Sequence, residues 1–70
     1  MAIATRLWQL GLFDEAAQWF CRAMRFQEAS DNGLGALATA IIAQHLMPED
    51  RVVRSESQRI RAKHDPLWRP

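Results

Sequence analysis

The sequence has few of the residues that hold small domains together through covalent bonds or metals. Its 70 residues include one cysteine, Cys21, so no disulfide can form within the chain. The two histidines, His45 and His64, lack metal-ligand spacing with Cys21, and we therefore expect no metal and no cofactor. Because a chain this short buries only a modest core, association with itself or with a partner is the expected source of further stability.

Strand patterns and catalytic motifs are also missing. Tyr is absent, Val and Thr are few, and no segment alternates between apolar and polar residues. The three glycines form no phosphate-binding loop, and Ser55 and Ser57 have no base beside them in the sequence. Cys21 lies in an apolar helical run, which predicts a small buried hydrophobe and not a reactive thiol. We therefore expect a protein that is not an enzyme.

Long apolar runs and targeting signals are absent too. No stretch is long enough to span a bilayer, and no basic stretch followed by an apolar run indicates a signal peptide. These features predict a cytoplasmic protein with no membrane partner. The net charge of +1 gives no general attraction to nucleic acid.

Helical periodicity, by contrast, runs through the whole chain. We predict an all-α fold of three or four short helices, arranged as a helical hairpin or small bundle, in one domain over residues 1–64 with an irregular tail at 65–70. The predicted helices cover residues 2–10, 13–30, 33–47 and 48–64. Gly11 is expected to end the first helix, and Asp31 or Asn32 to cap the third. The fourth has thin apolar content, which predicts either a surface helix or a segment that orders on binding.

The second helix is apolar on more than one side. Phe13, Phe20 and Met24 lie on its main apolar face, and we predict that they belong to the core. Trp19 and Phe26, seven residues apart, form a second and narrower apolar edge. This helix should therefore be central or form an interface.

The third helix combines a large-residue face with a small-residue stripe. The face consists of Leu34, Leu37, Ala38, Ile41 and His45, and the stripe consists of Ala36, Ala40 and Ala43. The stripe would let a neighbouring helix approach closely. His45 lies on the large-residue face, and we expect it to be packed or to cap the helix.

Residues 10–24 resemble the core of a tetratricopeptide repeat. In that family a Gly ends the first helix, and an aromatic residue, an Ala, a second aromatic residue and another Ala follow along the second helix. The matching residues are Gly11, Phe13, Ala16, Phe20 and Ala23. Packing positions of a truncated first helix would be Ile3, Ala4 and Leu7, and those of the next first helix Leu34, Leu37, Ala38 and Ile41.

The resemblance covers about one and a half repeats, residues 1–47. Where the family would place Ala, an aromatic residue and Ala in the following helix, this chain has Asp50, Arg54 and Ser57, and Glu28 stands where Pro is usual. The resemblance thus implies a tetratricopeptide-like hairpin and not a solenoid, which needs about three repeats. The function that it implies is protein–protein binding, and it supplies no catalytic residues.

Aromatic and basic residues are the candidates for binding. Trp is the residue most enriched at binding hot spots, and we predict that Trp19, Phe26 and Trp68 contact a partner. Residues 51–63 also carry an excess of positive charge, with Glu56 as the single acid. The candidate basic residues are Arg51, Arg54, Arg59 and Arg61. Three interpretations of residues 51–63 are open. The segment could be a helix face exposed to solvent, a docking surface for an acidic protein, or a helix that contacts phosphate groups.

Three functional hypotheses follow from these patterns. The first is a small adaptor, inhibitor or regulator that binds a larger protein through aromatic anchors, with arginines steering the encounter. The second is a nucleic-acid-binding regulator using residues 51–63, against which the acids at 49, 50 and 56 argue. The third is a self-associating scaffold. We expect a homo-oligomer, and specifically a homodimer formed through the second and third helices.

Overall fold

The computed structural model describes residues 2–68 as four α-helices joined by short turns, with no strand in that range. The helices are α1 Ala2–Gln9, α2 Phe13–Ala29, α3 Gly33–Leu46 and α4 Arg51–His64. The prediction of an all-α small bundle is confirmed. The first three helices end within one residue of the predicted bounds.

Gly11 ends α1, as predicted from its position. Its φ of +80° lies in the left-handed region, where a residue without a Cβ is least strained. The Gly11 N–H donates to the Trp8 carbonyl and the Leu12 N–H to the Leu7 carbonyl, both at 3.0 Å. These two bonds form a Schellman motif, which satisfies the last carbonyls of α1 and turns the chain back along it.

The turn between α2 and α3 repeats this motif with Asp31 in the left-handed position, at a φ of 57°. The Asp31 N–H donates to the Glu28 carbonyl at 3.0 Å and the Asn32 N–H to the Gln27 carbonyl at 2.8 Å. The Asn32 side chain accepts a hydrogen bond from the Gly35 N–H at 3.0 Å. Asn32, and not Asp31, is therefore the residue that caps α3.

The fourth helix begins later than predicted. Pro48 was expected in its first turn, but α4 begins at Arg51 and the preceding residues form a turn. The Val53 N–H donates to Asp50 Oδ1 at 2.9 Å, so Asp50 is the N-cap. Pro48 was wrong as a start because Asp50 has the extended backbone conformation of an N-cap residue, which leaves Pro48 outside the helix.

The bundle is organised around α2, which packs against α1, α3 and α4, while α3 also packs against α4. In the part of the chain that the structure describes, α1 packs on α2 without packing on α3 or α4. The core consists of Ala4, Ala16, Ala17, Phe20, Met24, Ala36, Ala40, Ala43, Met47, Val53 and Ile60. Alanines are frequent in it, so the helices lie close together.

The small-residue stripe of α3 faces the interior and lets a neighbouring helix approach closely, and Ala36, Ala40 and Ala43 have no exposed surface. Ser57 of α4 is equally buried, and its Oγ donates to the Ala40 carbonyl at 3.3 Å. Because these small residues bring α3 and α4 together, Leu34, Ile41 and Ile42 are turned outwards, while Leu37 and Leu46 pack against the edge of the core. His45 is also exposed, so the alternative that it is packed was wrong, and the alternative that it caps the helix stays a prediction.

Two further core predictions were only partly correct. Phe20 and Met24 are fully buried, which confirms them, but Phe13 is 53% exposed. Phe13 is the first residue of α2 and lies at the end of the bundle, where fewer neighbours cover it. Ile3, expected at a packing position of α1, is 54% exposed. The fourth helix is an integral part of the bundle, because Val53, Ser57 and Ile60 are buried.

Candidate functional site

An apolar groove lies between α1 and α2 because the two helices differ in length. α1 has 8 residues and α2 has 17, which correspond to about 12 Å and about 25 Å of helix. In this antiparallel pair, the second half of α2 therefore extends past the start of α1. The groove has a volume of about 330 Å³ and is lined by Ile3, Ala4, Trp19, Arg22, Ala23 and Phe26.

The structure brings two of the predicted binding residues together in this groove. Trp19 is 40% exposed and Phe26 is 72% exposed, and both side chains line the same cavity. Ile3 adds a third exposed apolar side chain from α1. The sequence analysis missed Ile3 because its helical spacing with Leu7 suits a packed position equally well. Exposed large apolar residues that cluster in this way are typical of binding sites.

Arg22 places a positive charge at the edge of the groove. Its Cζ lies 5.5 Å from the centroid of the Trp19 ring, a cation–π arrangement. Arg22 takes part in none of the ion pairs that residues 2–68 form. The sequence analysis also missed this residue, although the spacing of Trp19, Arg22 and Phe26 at i, i+3 and i+7 places all three on one helix face.

Trp68 lies outside the groove, after the end of α4. Its ring centroid is 5.8 Å from Cζ of Arg61, and the Nη1 of Arg61 donates to Gln44 Oε1 at 3.3 Å. Nε of Arg61 is buried in this arrangement. Both residues therefore make contacts within the molecule, and their roles in partner binding stay predictions.

The basic segment contributes to an ion-pair network between α2 and α4. The Glu28 carboxylate, 15% exposed, lies 2.8 Å from Arg59 Nη2, 3.0 Å from His64 Nε2 and 3.7 Å from Lys63 Nζ. The hydrogen bonds from Arg59 and His64 lower the pKa of Glu28 from its ordinary 4.5 to about 2. Glu28 is thus ionised at neutral pH and can interact with all three side chains.

A second carboxylate extends this network. Glu56 Oε1 lies 2.7 Å from Arg25 Nη2, and Glu56 Oε2 lies 3.0 Å from Arg59 Nη2. The hydrogen bond from Arg25, followed by the one from Arg59, holds the pKa of Glu56 below its ordinary value despite partial burial. Arg59 therefore lies between two carboxylates, and its own pKa is raised by its hydrogen bonds to Glu28 and Glu56.

The four predicted arginines consequently differ in what they can offer a partner. Arg59 is paired with two carboxylates, and Arg61 lies under Trp68. Arg54 is exposed, with its Nη2 donating to the Pro48 carbonyl at 3.1 Å, and Arg51 is exposed. Within residues 2–68, only Arg59 of the four has its charge neutralised by carboxylates, so the phosphate-binding interpretation of this helix depends on Arg51, Arg54 and Arg61.

Two other apolar surfaces are open. A groove of about 440 Å³ at the end of the bundle is lined by Trp8, Phe13, Leu46, Met47, Pro48, Glu49 and Asp50. On the side of α3 opposite its small-residue stripe lie Leu34, Ala38, Ile41, Ile42 and His45, all exposed, which we call the α3 outer face. α3 contains no Asp, Glu, Lys or Arg.

Reactive groups are few in the described residues. Burial raises the pKa of the half-buried Cys21 thiol, and the negative charges of Glu56 and Asp50 raise it further. Among residues 2–68, no three His, Cys, Asp or Glu side chains lie close enough together to hold a metal ion. In the same range, none of the helices combines the length and the apolar content that crossing a bilayer requires.

Comparison with known proteins adds no relative to this picture. No protein family, no curated protein and no solved structure matches the chain. The function has to be argued from the surfaces described above.

Proposed function

We propose that this chain is a non-enzymatic protein-binding module, a small cytoplasmic adaptor or inhibitor that holds a larger protein in the α1–α2 groove. The observation that carries the proposal is the exposure of Trp19, Phe26 and Ile3 around one apolar cavity. Two aromatic side chains beside a concave apolar surface are the usual composition of a binding hot spot. The resemblance of residues 10–24 to a tetratricopeptide repeat, a protein-binding family, supports the same function.

The chemistry of the groove defines the segment that it would bind. Its lining is apolar except for Arg22, whose guanidinium has no carboxylate partner among the described residues. A short apolar segment with an acidic side chain beside it would bury Trp19 and Phe26 and pair with Arg22. The carboxylate would speed and orient the encounter, and the apolar contacts would supply most of the affinity.

The test is affinity capture of the tagged full chain from its native lysate, with and without nuclease, followed by mass spectrometry. The same capture is done with the double variant Trp19→Ala, Phe26→Ala and with Val52→Ala. Val52 is 56% exposed on α4, so Val52→Ala is a matched removal of apolar surface outside the groove. Circular dichroism establishes that each variant keeps its helix content.

The proposal expects one stoichiometric protein that survives nuclease, is retained by Val52→Ala and is lost with the double variant. A partner that a folded double variant still binds would exclude the groove. Loss of all partners on nuclease treatment would instead support the nucleic-acid hypothesis, for which Arg51 and Arg54 are exposed candidates on α4 without a carboxylate partner among the described residues.

A further inference from the structure

The α3 outer face is an apolar helix face that no other element of residues 2–68 covers. Leu34 is 80% exposed, Ile41 is 46% exposed and Ile42 is 37% exposed. Leu34, Ala38, Ile41 and His45 follow one another at i, i+4, i+7 and i+11, so they form one continuous stripe along the helix. The 14 residues of α3 include no charged Asp, Glu, Lys or Arg. A solvent-facing helix ordinarily carries such residues on its outer face.

We propose that a second copy of this chain covers the α3 outer face, with the two α3 helices packed antiparallel about a two-fold axis. A two-fold interface sets a surface against itself, so the surface has to be self-complementary. An apolar face without formal charge meets that requirement. The α1–α2 groove does not, because the same symmetry would bring the unpaired Arg22 of each copy towards the other.

The side-chain sizes along the stripe also suit this arrangement. The midpoint of Leu34 and His45 in the sequence is also the midpoint of Ala38 and Ile41. An antiparallel two-fold pair centred there places Ile41 of each copy opposite Ala38 of the other, and Leu34 opposite His45. The branched Ile41 side chain then fills the space that the small Ala38 leaves, and the two helices can approach closely.

The size of the face sets the strength of the dimer. A standard interface buries roughly 800 Å² per partner, about a sixth of the 4822 Å² of surface on the described chain. One face of a 14-residue helix, about 21 Å long, supplies less than that. We therefore expect a weak dimer that dissociates on dilution, as interfaces below the standard size ordinarily do.

The dimer does not depend on the proposed function, because it uses a surface separate from the α1–α2 groove. It would add to that function by presenting two grooves at once. A partner with two matching segments would then bind with an avidity above the affinity of either groove.

The test is sedimentation equilibrium of the full chain from low micromolar concentration to about 1 mM. Ala38→Glu adds a carboxylate at the centre of the proposed interface, on an exposed helical position that tolerates Glu. Gln18→Glu is the matched control, since Gln18 is exposed on α2 and outside the α3 outer face. We expect wild type and Gln18→Glu to dimerise equally and Ala38→Glu to dimerise at least ~10-fold more weakly.

Two results would overturn the proposal. The first is a monomer over the whole concentration range, and the second is a dimer that Ala38→Glu leaves unchanged. If Phe26→Ala weakens a dimer that Ala38→Glu leaves unchanged, self-association belongs to the groove. If Ala38→Glu loses helix content, Leu34→Ser decides the question in its place, because Leu34 is 80% exposed and its replacement leaves the core intact.

Discussion

Glu28 of α2 accepts a hydrogen bond from Arg59 of α4 at 2.8 Å, across 31 residues of sequence. The same guanidinium nitrogen lies 3.0 Å from Glu56, so Arg59 joins a carboxylate of α2 to one of its own helix. Glu28 in turn contacts Lys63 and His64. The ends of α2 and α4 are therefore held together by charges that the sequence alone presents as a basic surface.

This network predicts a loss of stability in acid. The pKa of Glu28 is about 2 in the folded chain and 4.5 ordinarily, so the unfolded chain takes up the proton first as the pH falls. The stabilisation is complete above about pH 5 and disappears as the pH falls towards 2. Glu28→Gln should cost on the order of 1 kcal/mol at neutral pH and flatten this dependence.

Urea unfolding across that pH range measures both effects. Glu15→Gln is the control, because Glu15 is an exposed carboxylate outside these ion pairs. If wild type and Glu28→Gln lose the same free energy of unfolding as the pH falls, Glu28 is not the group that causes the loss of stability in acid.

Two phenylalanines of α2 should behave in opposite ways. Phe20 is fully buried, and Phe20→Ala should lower the free energy of unfolding by about 3–5 kcal/mol, which is enough to unfold a domain of this size. Phe26 is 72% exposed, and Phe26→Ala should change the stability by less than about 0.5 kcal/mol. Thermal unfolding followed by circular dichroism distinguishes them. A large loss from Phe26→Ala would mean that the groove is filled by its own side chains.

The turn before α3 offers a stabilising change. Asp31 has a φ of 57°, a conformation in which glycine is not strained. Asp31→Gly should therefore raise the free energy of unfolding by about 1 kcal/mol. At Gly11, whose φ is +80°, Gly11→Ala should lower it by a similar amount, about 1 kcal/mol. Equilibrium unfolding in urea should give opposite signs for these two variants, and equal signs would contradict the turn geometry.

The contact between α3 and α4 should be sensitive to the volume of the side chain at position 57 and not to its polarity. Ser57 is fully buried and donates one hydrogen bond to the Ala40 carbonyl. Ser57→Ala keeps the small size and should change stability by less than about 1 kcal/mol. Ser57→Leu forces the helices apart and should cost at least about 2 kcal/mol. If both variants unfold at the same urea concentration, α3 and α4 are not in close contact.

The Cys21 thiol should react slowly with iodoacetamide at neutral pH. Burial and nearby negative charges raise its pKa above the ordinary 9.0, so the reactive thiolate is scarce. The labelling rate should rise with pH and should reach its maximum at a higher pH than the rate of a free cysteine does. The chain unfolded in urea supplies the comparison, and equal rates in the two states would show that the fold gives no protection.

The bounds of the first three helices could be predicted from the sequence because local chemistry determines them. Gly11 and the Asp31–Gly33 turn each contribute a conformation or a capping group that acts within a few residues, whereas the cap at Asp50 was missed in favour of Pro48. The orientation of α3 could not be predicted, because its small-residue stripe and its large apolar face have the same periodicity. The burial of Ser57 could not be predicted either. Ser55 and Ser57 both lie in a polar stretch of the sequence, and only the contact of Ser57 with Ala40 of α3 distinguishes the two.

The candidate site was predictable in part. The spacing of Trp19 and Phe26 placed both on one edge of α2, but the groove itself depends on where α1 stops alongside α2. Arg59 was predicted to face a partner because its carboxylate Glu28 lies 31 residues away in the sequence. Such distant pairs leave no local pattern, whereas helix periodicity and caps do.

The attachment of α1 has a consequence for the energetics of recognition. Because the backbone of α1 lies against α2 and not against α3 or α4, we expect α1 to open more readily than the other three helices. Its amide hydrogens should therefore exchange with solvent faster than those of α2. α1 forms one wall of the groove, so binding of a ligand there would be coupled to the folding of α1. Such a ligand should stabilise α1, and its affinity should fall on warming as α1 unfolds.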